Sequence, residues 1–426
     1  MTVFQIAALL IVLAAGFGYL NHVTLKLPTT IGLVVIALGA SLAVIALDAL
    51  LPATTLAEDA RALVRGIDFY AALMNGMLGF LLFAGALHVD MSSLAGQRWI
   101  VLSMATVGLL ISTALVALGF WWLAGVPFAV ALVFGALISP TDPIAVLGLL
   151  KQHRVPESLE TKIAGESLFN DGVAVVLFLV LVAIAFGQGH GGEGVDATQV
   201  LLLFAQEAVG GAVLGALAGL GVCHLLRGLD EYVLEVMLTL ALVMGAYALA
   251  QGLHMSGPIA VVIAGLFIGN RGMRLGMSET TRTHVQNFWH LVDEILNAAL
   301  FLLIGVEVLA IPFRTEIAPV ALAAIPLVLL GRAAAVVVPV SLLRFRRTFT
   351  RGAVPILVWG GLRGGISVAL ALSLPDGPHK ATILVATYAV VIFSIVVQGL
   401  SMGRVIQRFG PRAAAEERDM AGGTRG

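Results

Sequence analysis

The sequence predicts an all-α polytopic membrane protein. Of its 426 residues, 59% are hydrophobic and 12% are charged, whereas a soluble domain usually carries about 25% charged residues. The hydrophobic residues form windows of about 20 residues, the length that a helix needs to cross a bilayer. Glycine, which is common in transmembrane helices, occurs 48 times. The net charge of -1 gives no indication of nucleic-acid binding, and the single cysteine excludes a disulfide framework.

Thirteen apolar windows are predicted to be transmembrane spans. They form a single transmembrane unit over residues 1–404, and residues 405–426 are too few for a folded regulatory domain. Spans 5 and 12 contain proline or glycine near the middle, and span 9 is short. The predicted spans are residues 3–20, 29–50, 69–88, 99–122, 126–150, 163–187, 199–226, 232–251, 257–270, 286–310, 317–343, 353–374 and 381–403.

The distribution of lysine and arginine predicts the orientation of these spans. The segments after the odd-numbered spans hold 18 of the 24 Lys and Arg residues, and the N-terminus and remaining loops hold 4. Loops rich in these residues stay on the cytoplasmic side of a membrane. The N-terminus is therefore predicted to be outside the cell and the C-terminus inside. A wrong number of spans would have scrambled this asymmetry.

The sequence Ser139–Pro143 (SPTDP) lies in the middle of span 5. Each proline removes a backbone donor and crowds the preceding turn, so the two prolines predict a break in the helix. Asp142, directly before Pro143, fits the start of a second half-helix. A broken helix exposes backbone amides and carbonyls, which membranes tolerate where these groups line a cavity. The break predicts an ion site near the midplane, and a structural proline kink is the alternative.

The first half of span 6 carries polar residues in the sequence Gly165–Gly172 (GESLFNDG). Ser167 and Asp171 are four residues apart and share one helix face, while Glu166 and Asn170 form a neighbouring stripe. Two carboxylates, an amide and a hydroxyl need a hydrated or charged counterpart inside a membrane. These residues are therefore candidates for the same ion site, and an interfacial start of a helix is the alternative.

Span 12 contains Arg363 between two pairs of glycines, in the sequence Gly360–Ser367 (GGLRGGIS). The glycines predict an unwound segment or a close approach of a neighbouring backbone. Because arginine stays protonated, its side chain must face an acid or a helix C-terminus. Spans 5 and 12 are each fifth in sets of six, spans 1–6 and 8–13, with opposite topology. Paired interruptions at matching positions predict an inverted-repeat transporter, and two unrelated kinks are the alternative.

Arg332, Asp293 and Glu294 are further charged residues within predicted spans. At about 1.5 Å rise per residue, Arg332 lies about 3 Å from the centre of span 11, and Asp293 and Glu294 lie about 6–8 Å from the centre of span 10. We predict that Arg332 pairs with Asp293 or Glu294 in a structural bridge. A role as a transport ligand is the alternative.

Asp142 and Asp171, together with the Thr141 carbonyl and the Ser167 hydroxyl, are predicted to form a Na⁺ site. Hard oxygen ligands suit a small hard cation, and they are too few for a dedicated Ca²⁺ cage. Two carboxylates in a medium of low dielectric favour binding of a proton or a cation over the doubly charged state. Exchange follows if only the occupied site moves across the membrane. Asn170 stands where another aspartate would add a charge, so one Na⁺ for one H⁺ is the simpler stoichiometry.

A family resemblance rests on four segments that occur in order: SPTDPIAVLGLLK, GESLFNDGVAVVLF, VDEILNAALFLLIGVE and GLRGGISVALALSLP. They resemble the NhaP-type members of the cation:proton antiporter-1 family, the prokaryotic relatives of the animal sodium/hydrogen exchangers. The resemblance implies an NhaA/NhaP-like antiporter fold in which the broken helices of spans 5 and 12 cross.

The resemblance also implies an assembly and a location. Spans 3–6 and 10–13 would form a transport domain that moves like an elevator, and spans 1–2 and 7–9 would form the interface of a homodimer. The protein would lie in the lipid bilayer of the cell membrane. It would be a transporter and not an enzyme, with no cofactor besides the transported Na⁺ and H⁺.

The resemblance assigns roles by position in the motifs. Asp171 would be the main carboxylate that binds Na⁺ or H⁺. Asp142, Ser167 and the main chain of Thr141 would complete the coordination.

Other family positions support the site or depart from the family pattern. Glu166 resembles the acid that pairs with the arginine of span 12, here Arg363, and Asn170 is associated with electroneutral exchange. Relatives often carry a glutamate after a phenylalanine near the end of span 3, but here Phe83 is followed by Ala84. A water-mediated contact from that glutamate would be missing, which leaves the affinity and the preference among Na⁺, K⁺ and Li⁺ open.

Three other functions remain to be compared with Na⁺/H⁺ exchange. A K⁺/H⁺ antiporter of the same fold is the main alternative. An intramembrane aspartyl protease also needs two aspartates on neighbouring helices, but its Tyr-Asp and Gly-x-Gly-Asp patterns do not surround Asp142 or Asp171. An ion channel would require a symmetric pore ring in place of one proline-broken acidic site.

Overall fold

The computed structural model of the protein describes residues 2–50, 56–153, 155–187, 197–311, 315–344 and 352–410. In these ranges the regular secondary structure is helical, apart from one isolated β-bridge. The predicted tail begins within the last described helix, and residues 411–426 of it lie outside the described residues.

The first ten helices cover the predicted spans 1–6. They are α1 (Val3–Leu20), α2 (Thr29–Leu50), α3 (Leu56–Arg65), α4 (Phe69–Ala71), α5 (Leu78–Leu87), α6 (Met91–Ser103), α7 (Leu109–Ala124), α8 (Phe128–Ile138), α9 (Ile144–Gln152) and α10 (Glu157–Ala185). The other ten cover spans 7–13. They are α11 (Ala197–Leu225), α12 (Tyr232–Gly252), α13 (Gly257–Phe267), α14 (Met273–Leu275), α15 (Glu279–Glu307), α16 (Ala318–Leu343), α17 (Ala353–Trp359), α18 (Gly365–Leu372), α19 (Lys380–Phe393) and α20 (Gly399–Phe409).

Short segments of different pitch join several of these helices end to end. A π-helical turn adds one residue to the ring closed by each hydrogen bond, and such turns are often found at functional sites. Among the described residues, five π-helical segments occur, at Asn21–Leu25, Ala72–Met77, Met104–Gly108, Ile268–Gly272 and Ser394–Gln398, and a 3-10 turn covers Val308–Ala310.

The structure confirms the predicted class, an all-α membrane protein. Within the described ranges, ten helices are long and apolar enough to cross a membrane. Predicted spans 5 and 12 are each divided into two shorter helices, α8 with α9 and α17 with α18. Predicted span 10 corresponds to the continuous 29-residue helix α15. The total of thirteen spans and the inverted repeat stay predictions.

Close packing around the first broken helix holds it in place. Gly135 of α8 lies against α7, where a Cβ atom would collide with the Thr113 carbonyl. Phe120 of α7 and Phe134 of α8 stack with ring centroids 4.0 Å apart, and both are fully buried. Burial of aromatic surface on both helices fixes the depth of α8, and with it the position at which the helix breaks.

Candidate ion-binding site

The two broken helices cross at their breaks, as predicted. We name residues Ser139–Pro143 the span 5 break and residues Gly360–Gly364 the span 12 break. The backbone N–H of Asp142 donates a hydrogen bond of 2.8 Å to the carbonyl of Leu362, which forms the isolated antiparallel bridge. Each break thus satisfies a backbone group that the other leaves without a helical partner.

The second half-helix of span 5 begins at the predicted position. Asp142 Oδ1 accepts a hydrogen bond of 3.0 Å from the backbone N–H of Ile144 and so caps the first turn of α9. The other carboxylate oxygen lies beside Gly364, where a Cβ atom would collide with Asp142 Oδ2. A glycine is therefore required at this crossing because the carboxylate occupies the space of a side chain.

Uncharged side chains of α10 hold the span 5 break. Thr141 Oγ1 lies 2.9 Å from Ser167 Oγ and accepts a hydrogen bond of 2.9 Å from Asn170 Nδ2. The Asn170 Oδ1 atom is 3.5 Å from the Thr141 backbone nitrogen. All three residues are buried. The structure therefore brings Thr141, Ser167 and Asn170 together, as the sequence predicts.

Asp142 and Asp171 face one cavity of about 510 Å³. The two carboxylates are close enough to repel each other when both are charged. Thr141 and Ser167 line the same cavity. The four residues predicted to bind a cation therefore share one cavity at the crossing. Carboxylate, hydroxyl and carbonyl oxygens are ligands that a hard alkali cation accepts.

The same cavity carries more acidic residues away from the crossing. Asp90, Glu157, Glu160, Asp293 and Glu294 line it, and no lysine or arginine does among the described residues. Asp90 lies in the loop before α6, where hydrogen bonds from the Ser92 side chain and backbone hold the pKa of its carboxyl below the usual value. An acidic, water-accessible approach raises the local concentration of cations near the site.

Arg332 pairs with Glu166, and the prediction that it pairs with Asp293 or Glu294 is wrong. Both Glu166 oxygens accept hydrogen bonds from Arg332, one from Nη1 and one of 3.0 Å from Nη2. Arg332 also donates to the Leu357 carbonyl, from Nη2 at 2.8 Å and from Nε at 3.2 Å. The prediction matched residues by depth in the membrane, but depth does not determine which faces of two helices meet.

Asp293 lies in the cavity with Glu294, and it accepts a hydrogen bond of 3.0 Å from Asn297 Nδ2. Asn297 belongs to the same helix, α15. The two acids of span 10 are therefore part of the cavity wall and not of the arginine bridge.

Arg363 faces the C-terminal end of α8, which is one of the two environments that its permanent charge allowed. Its Nη1 donates to the carbonyl of Ser139 and, at 2.9 Å, to that of Pro140. These carbonyls lie at the negative end of a helix dipole, which a cation stabilises. The implied direct pairing of Glu166 with Arg363 is therefore wrong, because Arg332 takes both oxygens of Glu166.

Two polar residues of span 13 are functional candidates that the sequence interpretation missed. Ser394 and Gln398 are buried, and they hydrogen-bond to the span 12 break or to the residue just before it. Their signal in the sequence is a serine and a glutamine four residues apart in an otherwise apolar stretch, VVIFSIVVQGL. Such a pair inside a membrane span needs a polar partner.

Ala84, at the position where relatives often carry a glutamate, is fully buried in α5. Its carbonyl oxygen lies 2.8 Å from Nδ1 of His88, one turn further along the chain. His88 lines the cavity, with its ring 6.4 Å from that of His290. A methyl group at residue 84 provides no oxygen for a cation.

A helical membrane protein with two crossed broken helices and a pair of carboxylates at the crossing has the construction of a secondary ion transporter. The model of the sodium/hydrogen exchanger transmembrane family matches residues 8–408. The chain belongs to this family, whose members are transporters and not enzymes.

Several relatives match over most of their length. The chain is 48% identical to the Na⁺/H⁺ antiporter NhaP of Pseudomonas aeruginosa over 413 residues, which are 95% of this chain and 96% of the relative. It is 38% identical to the Na⁺/H⁺ antiporter NhaH of Halobacillus dabanensis, over 83% of this chain and 87% of the relative.

A solved structure has the same fold. The structure of the sodium proton antiporter MjNhaP1 from Methanocaldococcus jannaschii at pH 8 superposes with a TM-score of 0.70 and 20% sequence identity. The match covers 95% of this chain and 98% of that structure. The similarity supports the antiporter fold independently of the sequence motifs.

Proposed function

We propose that the protein exchanges Na⁺ for H⁺ across a membrane, with both ions binding at Asp142 and Asp171. The single observation that carries the proposal is the position of these two carboxylates in one cavity, at the crossing of the two breaks. The names of the relatives support the choice of ions, since the 48% identical protein is a Na⁺/H⁺ antiporter.

Competition at one site is sufficient for exchange. A proton on Asp171, or Na⁺ held by Asp171, Asp142, the Ser167 hydroxyl and the Thr141 carbonyl, reduces the charge of the site. The doubly charged site would carry a large desolvation cost through the membrane, whereas an occupied site would not. Since Asn170 is neutral, one Na⁺ exchanges for one H⁺ and the cycle moves no net charge. Glu166, Arg332 and Arg363 support the site but do not bind the ion.

The remaining parts of the protein have roles in this cycle. Spans 3–6 and 10–13 form the moving transport domain, and spans 1–2 and 7–9 form the interface of a homodimer. The protein lies in the cell membrane, with its N-terminus outside and its C-terminus in the cytoplasm. It needs no cofactor besides the transported ions and contributes to the homeostasis of pH.

Ion pulses on proteoliposomes test the proposal. Purified protein is reconstituted into vesicles that contain a pH-sensitive dye and have equal K⁺ on both sides, so that valinomycin clamps the voltage, and NaCl, LiCl or further KCl is added with or without valinomycin. We expect proton movement with NaCl, and the same rate with valinomycin because an electroneutral cycle does not respond to voltage. The Asp171→Asn variant is expected to lose this exchange, since the amide holds neither a proton nor a charge for Na⁺.

Each other outcome contradicts a defined part of the proposal. A response to KCl that exceeds the response to NaCl would favour the K⁺/H⁺ antiporter. A rate that changes with valinomycin would exclude the 1:1 stoichiometry. Full activity of Asp171→Asn, with protein that remains monodisperse, would exclude the assigned site. Asp48→Asn in α2 serves as the matched aspartate control, because Asp48 does not line the cavity.

A further inference from the structure

Span 13 contains a buried polar pair that the proposed exchange does not use directly. We propose that Ser394 and Gln398 are positioning residues for the ion site, which they hold through the span 12 break and Arg363. This inference rests on the proposed Na⁺/H⁺ exchange. Neither side chain lines the cavity with Asp142 and Asp171, so neither binds the transported ion directly.

Ser394 anchors the backbone of Arg363. The Ser394 hydroxyl accepts a hydrogen bond of 2.9 Å from the Arg363 backbone N–H, which lies in the unwound segment and has no helical partner. The same hydroxyl donates to Gln398 Oε1 at 2.7 Å. Ser394 is fully buried, so water cannot replace these bonds.

Gln398 joins this anchor to the first half of span 12. Its Nε2 donates a hydrogen bond of 3.1 Å to the carbonyl of Trp359, the last residue of α17. The glutamine therefore binds the end of α17 with its amide nitrogen and Ser394 with its oxygen. Orphan carbonyls at helix ends need such partners, above all where no water is available.

A π-helical segment places both side chains on the span 12 break. Ser394 and Gln398 are the first and last residues of the segment Ser394–Gln398, between α19 and α20. Segments of this kind interrupt the regular hydrogen bonding of a helix and are frequent at functional sites. Here the segment Ser394–Gln398 lies where span 13 contacts the end of α17 and the span 12 break.

Two contacts carry this anchoring from span 12 to the ion site. The carbonyl of Leu362, directly before Arg363, accepts the hydrogen bond from the Asp142 backbone N–H. The Arg363 guanidinium holds the carbonyls of Ser139 and Pro140, directly before Thr141. A shift of the Arg363 backbone would therefore move the Thr141 carbonyl and the Asp142 carboxylate.

The arrangement resembles the one at the other break. Asn170 and Ser167 of α10, in span 6, bind Thr141 in the span 5 break. Ser394 and Gln398 belong to span 13, which follows the span 12 break along the chain. Each broken helix is thus held by buried polar side chains of the next span.

Substitutions that preserve volume test the proposal. We expect Ser394→Ala and Gln398→Met to raise the Na⁺ KM in proteoliposomes by about fivefold or more, because misplaced oxygens bind Na⁺ less well. The maximal rate should fall less than the affinity. The pH profile should also shift, since protons compete for the same oxygens. In the double variant the effects should not add, because both side chains act through one chain of hydrogen bonds.

Thr387→Val is the matched control. Thr387 is fully buried in α19 of the same span, and its hydroxyl donates to the Ile383 carbonyl of its own helix and not to the span 12 break. We expect a Na⁺ KM within twofold of the parent. Ser394→Thr, which keeps the hydroxyl, should restore at least part of the affinity lost in Ser394→Ala.

The outcomes separate this inference from the proposed exchange. The inference would be wrong if both single variants kept the parent KM and pH profile, or if their effects added in full. It would also be wrong if Thr387→Val changed the KM as much as they do. A parent protein without Na⁺-dependent proton movement would instead contradict the proposed function itself.

Discussion

Each of the two breaks places a charged residue in an unwound segment, but the two charged residues face different surroundings. The span 5 break directs a carboxylate, Asp142, into the cavity. The span 12 break directs its charged residue, Arg363, away from that cavity and onto the carbonyl ends of α8. Asp142 is thus a candidate to bind a mobile cation, while Arg363 is a permanent cation bound to fixed oxygens.

Positive and negative charges are kept apart at the crossing. If Arg363 faced the cavity, it would neutralise Asp142 or Asp171 and compete with the transported cation. Its hydrogen bonds to Ser139 and Pro140 prevent this and also neutralise the negative end of α8. A second arginine, Arg332, forms an ion pair with Glu166 and compensates its charge. The described lining of the cavity therefore contains several carboxyl groups and no arginine.

The largest effect is expected from Arg332→Met, which leaves Glu166 as an uncompensated buried charge. Removal of one partner of a buried ion pair typically costs about 3–5 kcal/mol. The melting temperature in detergent should therefore fall, and the double variant with Glu166→Leu should recover much of the loss. Combining Arg332→Met with Asp293→Asn should give no such recovery. A recovery in that double variant would instead support the pairing of Arg332 with Asp293 that the sequence predicted.

A smaller effect is expected from Arg363→Met, which tests the role of the span 12 break directly. The variant removes charge-assisted hydrogen bonds from the Ser139 and Pro140 carbonyls, each worth about 1.5–3 kcal/mol. We expect the Na⁺ KM to rise by about tenfold or more, while Arg363→Lys retains part of the affinity. Sodium titrations of proton movement measure both values. A parent-like KM for Arg363→Met would show that the two breaks work independently.

The smallest effect is expected from Gly364→Ala, which tests the contact between the breaks. The added Cβ would collide with Asp142 Oδ2 and push the carboxylate from its position. Crowding of this kind typically costs about 1–3 kcal/mol, so we expect a Na⁺ KM raised by about fivefold. Gly148→Ala in α9 meets open space and should keep the parent KM. Equal effects of the two substitutions would contradict a specific contact.

The sequence alone predicted the membrane class, the two broken helices and the residues around Asp142 and Asp171. The membrane class and the positions of the two breaks agree with the structure because they rest on local chemistry, while ion binding at Asp142 and Asp171 stays a proposal. Prolines and clustered glycines interrupt a helix wherever it packs, and residues four apart share a helix face in any environment. The position of Ser167 and Asp171 relative to one another followed from helical periodicity.

Which polar groups meet across different helices depends on how the helices pack in the folded protein. Arg332 binds Glu166, Arg363 binds the carbonyls of Ser139 and Pro140, and Ser394 binds the Arg363 backbone. Depth along a span is readable from the sequence, but rotation about the helix axis and the choice of neighbour are not. The rotation of each helix and its choice of neighbour depend on how the apolar faces of all the helices pack together. A span that is hydrophobic on all sides has no preferred direction.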